Sequence, residues 1–312
     1  MTFKNWIYAA RIYTLPLSIS GITLSFLLSS SFSKNLLYKN LVKYIFSILT
    51  SISLQILANF SNDYGDSIKK NLYDINKIDN SFFSYTKKYV KSGLITKGDM
   101  KKGIYIFSIL SFIFGFLLIW KIIYNNKSIF ILYLIGLIFC IYGSIKYSIG
   151  KYPYGWKTGL GDISVFIFFG FFSVLGSFFL YTNKIPSFEI FLLSVSIGFL
   201  NVAVLNLNNI RDFDIDLING KKTIVTKLGI KYAKLYHAVI IFISIFIGTR
   251  FLYFNIKNIY QWIFFSIIVL FLILHIKKII FIKEKKFFHY ELKKLVIFTF
   301  FYVISIGIKN FL

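Results

Sequence analysis

Apolar runs of about 20 residues recur along the whole chain, broken by short polar segments, and this spacing predicts a polytopic all-α membrane protein. Nine spans are expected, at 13–33, 42–61, 104–123, 128–147, 162–181, 188–207, 235–254, 259–281 and 292–311. No small-residue cleavage site follows the first run, so it reads as a retained helix rather than a signal peptide. One transmembrane domain over residues 1–312 is the simplest division.

The connecting segments alternate in character. The N-terminus and the segments 62–103, 146–161, 208–234 and 277–294 hold 27 of the 36 Lys and Arg residues. The positive-inside rule places these in the bacterial cytoplasm and the C-terminus outside. Trp6, Trp120, Trp156 and Trp262 fall near span ends, as interfacial anchors do.

Composition agrees and narrows the classes. At 57% hydrophobic and 21% aromatic residues, the chain is too apolar for a soluble domain of this length. The net charge of +24 would suit a nucleic-acid binder, but the cations flank apolar segments rather than forming a basic face, so no nucleic-acid partner is expected. A single cysteine, Cys140, excludes an internal disulfide and reads as a small buried residue. His237, His275 and His289 are scattered without metal-ligand spacing and read as surface or interface residues, with no support for haem or zinc.

The acids are distributed unevenly. All nine Asp, with Glu284 and Glu291, fall on the expected cytoplasmic side, and only Glu189 lies outside. Ionised groups at membrane depth cost about 2.5–3.5 kcal/mol each on insertion scales, so they mark function. One constellation, in ANFSNDYGDSIKK (58–70), comprises Gln55, Asn59, Asn62, Asp63 and Asp66, whose three- and four-residue spacings keep them on one helical face. The other, NLNNIRDFDIDLINGKKT (206–223), places Asn208, Asp212 and Asp216 four apart on one face; Asp214 points elsewhere and reads as a solvated charge.

If the two helices are neighbours, their carboxylates face each other across an anionic gap. Asp and Asn oxygens suit Mg²⁺, which takes one or two carboxylates and shares its other positions with water and substrate phosphates. Two such sites would clamp a diphosphate, with Arg211, Lys221 and Lys222 on the remaining oxygens. A greasy bundle beneath a charged rim suits a lipid diphosphate. A structural ion-pair cluster, a proton relay and an ion-coupled transporter are the alternatives; a transporter should carry its charges near the bilayer midplane.

At these residues the sequence resembles the UbiA superfamily of intramembrane prenyltransferases, and most closely its 1,4-dihydroxy-2-naphthoate polyprenyltransferase branch. The similarity runs through AARIYTLPLSISGITL (9–24), QILANFSNDYGD (55–66), VKSGLIT (90–96), YSIGKYPYGWKTGLGDISVFIFFGFFSVLG (147–176) and LNNIRDFDIDLINGKKTIVTKLG (207–229). The resemblance implies a bundle of nine helices around a central cavity with a cytoplasmic loop cap. It also implies Mg²⁺ holding a polyprenyl diphosphate, whose departure leaves an allylic cation for an aromatic ring to attack. In this branch the acceptor loses carbon dioxide and the product is a demethylmenaquinone. Sister enzymes act on 4-hydroxybenzoate or homogentisate.

Carried onto this chain, the metal–diphosphate role falls on Asn62, Asp63 and Asp66 in the first motif and on Asp212 and Asp216 in the second. Arg211, Lys221, Lys222 and Arg11 become diphosphate contacts, with Asn59 and Asn208 beside them; Asp66 and Asp212 are expected to be essential. The family's third Asp of the first motif is not in place. Its position holds Leu72 and the nearest carboxylate is Asp74, so either an insertion moved the ligand or it is missing. Lys70 replaces a glycine and Lys88 an arginine, which implies a differently shaped covering loop. Tyr147, Lys151 and Tyr154 border the cation and acceptor in the resembling enzymes, where a phenol ring face can shield an allylic cation. Each tyrosine is alternatively an interfacial anchor, and Asp162 reads as a helix cap.

Overall fold

The computed structural model describes residues 3–30, 34–68, 90, 93–123 and 126–308. Asp74, Lys70, Leu72 and Lys88 lie outside these residues. The helices, in chain order, are α1 (Phe3–Ala9), α2 (Leu15–Ser30), α3 (Lys34–Ile68), α4 (Lys97–Ile123), α5 (Lys127–Lys146), α6 (Leu160–Val165), a π-helix (Phe166–Gly176), α7 (Ser177–Thr182), α8 (Phe188–Arg211), α9 (Phe213–Ile218), α10 (Ile224–Asn255), α11 (Ile259–Phe281) and α12 (Lys285–Gly307). α6, the π-helix and α7 run on as one rod.

Eight stretches among the described residues are long and apolar enough to cross a bilayer. The ninth expected span, α12, is equally long, but its first turns carry Lys285, Lys286, Glu291, Lys293 and Lys294, which dilute its hydropathy. Nine spans is therefore approximate, while the all-helical membrane architecture stands. Large exposed side chains such as Ile109, Leu132, Phe246 and Phe281 form the face that lipid would cover.

α8 is the hub. It packs against α2, the π-helix, α10 and α12. Leu193, Ile197, Leu200, Leu207 and Ile210 along it are fully buried in the main core. A second core joins α1, α3 and α4 through Ala9, Leu57, Phe60, Met100 and Ile104, and holds the first acidic motif. Runs of π-helix beyond one turn are rare and concentrate at functional sites. This one presents Phe168, Phe169, Phe172 and Ser173 to the central cavity. α10 breaks at Gly229, whose φ of 77° and ψ of 161° suit glycine alone.

The histidines depart from the expected surface placement. His237 and His275 are buried, with their Nε2 atoms 3.2 Å apart. His275 Nδ1 lies 3.1 Å from Glu291, whose other oxygen accepts from Lys278 at 2.7 Å and Lys294 at 3.0 Å. Polar groups this deep must find each other because unpaired burial costs a few kcal/mol per group. The cluster ties α10, α11 and α12 together, a pairing of distant positions that single-span spacing could not show. At the end of α8 away from Arg211, Glu189 pairs with Arg250 at 2.6 Å.

Candidate active site

A cavity of about 630 Å³ runs down the centre of the bundle between α2, α3, α4, α5, the π-helix and α8. Its two ends differ. One is polar, with Arg11, Thr14, Gln55, Asn59, Asn62, Tyr147, Asn208 and Lys221; the other is apolar, with Ile22, Leu118, Ile119, Tyr133 and Leu180. Tyr133 and Tyr147 are 14 residues apart on and just past α5, so the polar and apolar ends are separated by roughly 21 Å.

The first motif occupies the last turns of α3, which continues well past the expected end at residue 61. Gly65 permits this. A Cβ there would lie 2.4 Å from the carbonyl oxygen of Ser148, so only glycine lets α3 rest on the segment after α5. Asn62 thereby meets Ser148 Oγ at 3.4 Å and lines the cavity. Asn59 also faces the cavity, but its amide donates to Ala10 O at 2.8 Å, and Gln55 donates to Thr14 Oγ1 at 3.1 Å. These bonds fix the turn at Arg11, which sits in the left-handed region at φ 50°. Such a conformation costs a non-glycine residue about 1–2 kcal/mol and clusters at functional sites.

Asp63 departs from its neighbours. It is buried on the side of the second core, where its carboxylate accepts from the Val90 backbone N–H at 3.1 Å. Asp63 thus holds Val90 and is absent from the cavity wall, as are Asp66, Asp212 and Asp216, whose neighbours Asn62, Asn208 and Lys221 form the wall. Asp66, one turn further on, is near enough to the second motif for its negative charge to act on Asp216, Lys221 and Tyr147.

The second motif folds at the junction of α8 and α9. Asp212 (φ −90°, ψ 9°) turns the chain, and Gly220 (φ 67°) reverses it so that Lys221 returns over Asp216. Lys221 Nζ sits 3.1 Å from Asp216, both side chains nearly buried. Arg211 is buried and grips its neighbour Asp212 with two bonds of 2.8 Å. It also donates to Asn208 Oδ1 at 2.7 Å and meets His289 Nδ1 at 3.3 Å. Arg211 is thus committed to positioning Asp212 and Asn208. Asp214 is exposed and pairs with Lys285, which agrees with a solvated charge.

The electrostatics of this corner are anionic. Burial, opposed by Lys221 and reinforced by Asp212 and Asp66, pushes Asp216 up to about 6. Burial is the largest single influence on Lys221 and works against its charge, yet Asp216, Tyr147, Asp66 and Asp212 together more than offset it and hold the ammonium protonated. Burial, against Lys221 and with Asp162, Asp216 and Asp66, raises Tyr147 to about 12. Tyr147 is therefore a neutral phenol near pH 7. Its ring stands edge-on to Tyr154 at 5.4 Å, and Tyr154 donates to Gly143 O at 2.6 Å.

Three expected residues are placed elsewhere. Lys151 is exposed and lies over the Tyr152 ring. Lys222 is exposed, and its backbone N–H donates to Trp156 O at 3.1 Å; the cavity receives Lys221 instead, because the reversal at Gly220 turns the first lysine inward. Asp162 is buried and does not cap: the N-cap is Gly159, and the carboxylate takes a long 3.5 Å bond from Tyr236 of α10. Thr14, Asn201 and Asn209 line the cavity without having been singled out from the sequence. For the two asparagines the available signal was a carboxamide inside or beside an apolar run.

The fold and site together define an integral membrane protein whose central cavity joins a charged rim to an apolar slot. Residues 21–287 match the UbiA prenyltransferase family, and the chain belongs to it. It is 34% identical over 241 residues to the 1,4-dihydroxy-2-naphthoate octaprenyltransferase of Haemophilus influenzae, covering 77% of this chain and 74% of that one. The Escherichia coli protein of the same name is 34% identical over 262 residues, 84% of this chain and 80% of that one. A UbiA homolog from Archaeoglobus fulgidus, solved bound to DMAPP and Mg²⁺, superposes with a TM-score of 0.59 at 13% identity, covering 96% of this chain and 99% of that one. The apo UbiA homolog of Aeropyrum pernix gives 0.58 at 15% identity, covering 98% and 97%.

Proposed function

We propose that this chain transfers a polyprenyl group from polyprenyl diphosphate to 1,4-dihydroxy-2-naphthoate with loss of carbon dioxide, forming a demethylmenaquinone in its quinol form, and that it uses Mg²⁺. The observation carrying this reading is a cavity with one charged end, in a chain 34% identical over most of its length to two naphthoate octaprenyltransferases. The diphosphate lies at the rim and the prenyl chain in the slot. The rim faces the cytoplasm of the bacterial inner membrane, with the N-terminus on that side and the C-terminus outside, in line with the distribution of Lys and Arg.

The donor set suits the metal. Asn62, Asp66, Asp212 and Asp216 offer hard oxygens only. The Lys221 ammonium already stands against Asp216 and feels Asp66 and Asp212, so the corner is built around positive charge. Among the described residues no three acidic, histidine or cysteine side chains close on one point. Mg²⁺ bound through one or two carboxylates and substrate phosphates does not require three. When bound, Mg²⁺ would neutralise charge on the diphosphate oxygens as they leave.

The protein's own groups supply the rest. Lys221 and Arg11, both on the cavity wall, take phosphate oxygens. Arg211 holds Asp212 in place. As the C–O bond breaks, its electron pair leaves with the diphosphate, and the π-face of Tyr147 shields the allylic cation from water. The acceptor ring forms the new C–C bond and its carboxylate leaves as carbon dioxide.

Purified protein in lipid nanodiscs, given polyprenyl diphosphate, Mg²⁺ and each of 1,4-dihydroxy-2-naphthoate, 4-hydroxybenzoate and homogentisate, tests the assignment. Mass spectrometry should find a decarboxylated, prenylated naphthoquinol from the first. Prenylation of either other acceptor in its place would overturn the assignment.

A further inference from the structure

α12 carries no part of either acidic motif, yet its first turns reach the second one. His289 and Lys293 are four residues apart and so share a helical face. Both close on Tyr13 of the cavity wall. The His289 ring stands edge-on to Tyr13, with centroids 5.8 Å apart, and Lys293 Nζ lies 5.4 Å over the Tyr13 ring. From this position His289 Nδ1 comes within 3.3 Å of Arg211 Nη1. Tyr13 acts on Arg211 as well.

Chemistry fixes the direction of the bond. A guanidinium only donates, so His289 Nδ1 accepts. The imidazole is therefore neutral and its proton is on Nε2. The other two nitrogens of Arg211 serve the second motif: Nε and Nη2 each donate to Asp212 at 2.8 Å, and Nη2 donates to Asn208 Oδ1 at 2.7 Å. Nη1 takes no part in holding Asp212, and His289 ties it down. Arg211 is 5% exposed, so Nη1 without this acceptor would be left short of a partner in a buried site, which is costly for a charged group. The guanidinium would then turn toward another acceptor, and Asp212 would lose the pair of bonds that orients it.

We propose that His289 is a positioning residue for the diphosphate site: its Nδ1 holds the third nitrogen of Arg211 and thereby keeps Asp212 and Asn208 in their working orientation. The inference rests on the reading of the chain as a prenyltransferase with its diphosphate between the two acidic helix ends. It gives the polar first turns of α12 a task besides packing. It also makes the site depend on three stretches far apart in the chain, the turn at residues 11–14, the second motif and the start of α12. The partners behind a ligand orient it, and their loss weakens binding although they touch nothing that is bound.

Equilibrium binding of a radiolabelled, non-reactive polyprenyl thiodiphosphate with Mg²⁺ to the full-length protein in nanodiscs tests this. His289→Leu should raise the Kd about tenfold, the usual effect of losing a partner behind a ligand. His289→Asn keeps an accepting oxygen at the place of Nδ1 and should stay within about twofold of the parent. His289→Gln carries its oxygen to the place of Nε2 instead; it should weaken binding as the leucine variant does, and it serves if that variant does not fold. In an Asp212→Asn background, His289→Leu should change the Kd by less than about twofold, because it acts through Arg211 on that carboxylate. A general loosening of α12 would cost the same in both backgrounds. Unchanged Kd in folded His289→Leu or His289→Gln, an equal loss in His289→Asn, or an equal loss in the Asp212→Asn background overturns the inference. A parent protein that does not bind the analogue removes the functional reading and the inference with it; equal binding by the parent and by His289→Leu removes the inference alone.

Discussion

Asp66→Ala is expected to lower kcat/KM by about 10²–10³-fold or more, the range seen when one preorganised group that stabilises transition-state charge is removed. The loss should come with little loss of fold. Asp66 lies near the end of α3 and is only partly buried, and substitutions at such positions usually move stability by about 0.5 kcal/mol or less. Its charge reaches Asp216 and Lys221, so its removal withdraws one of the carboxylates around which cations gather. Membrane insertion and elution as a single species should match the parent. Near-parental turnover in that variant would remove the first motif from the chemistry.

Lys221→Met should be the most damaging single change at the rim, and in two separable ways. It strips the proposed phosphate contact, so kcat/KM for the polyprenyl diphosphate should fall about 10²-fold. It also leaves Asp216 buried without its cation, a break that typically costs about 3–5 kcal/mol. The double variant Lys221→Met/Asp216→Asn removes the orphaned charge, so it should recover most of the thermal stability and none of the activity. Recovery of activity in the double variant would mean that the pair serves only the fold. Equal activity of Lys221→Met and the parent would remove Lys221 from diphosphate binding.

Much of this architecture was written in local pattern. Apolar runs long enough to span a bilayer located the helices to within a turn or two at most ends, because the bilayer admits little else. The longest misreadings came where polar residues continue a helix beyond the apolar run. α3 carries its acidic motif as helix to Ile68, and α10 begins at Ile224, eleven residues before the apolar run starts. Periodicity placed Asn62 on the cavity side but could not separate Asp63 from it, since the orientation of Asp63 depends on Val90, 27 residues away. The choice of Lys221 over Lys222 depends on the positive φ of Gly220, a single torsion with no periodic signature. The His237–His275–Glu291 cluster was invisible for the same reason: its three members come from three helices and meet only once these pack. Asn201 was legible in principle as an amide within an apolar run, yet only the cavity shows that it faces inward.

In the proposed mechanism two acidic helix ends hold one diphosphate between them. Calorimetric titration of a non-reactive polyprenyl diphosphate analogue with Mg²⁺ into the parent, Asp66→Asn, Asp216→Asn and the double variant tests it most directly. Each single change should weaken binding about tenfold or more, and the double should lose clearly less than the product of the two, since both remove parts of one shared site. Losses that simply multiply, or a full-affinity complex with either carboxylate neutralised, would contradict it.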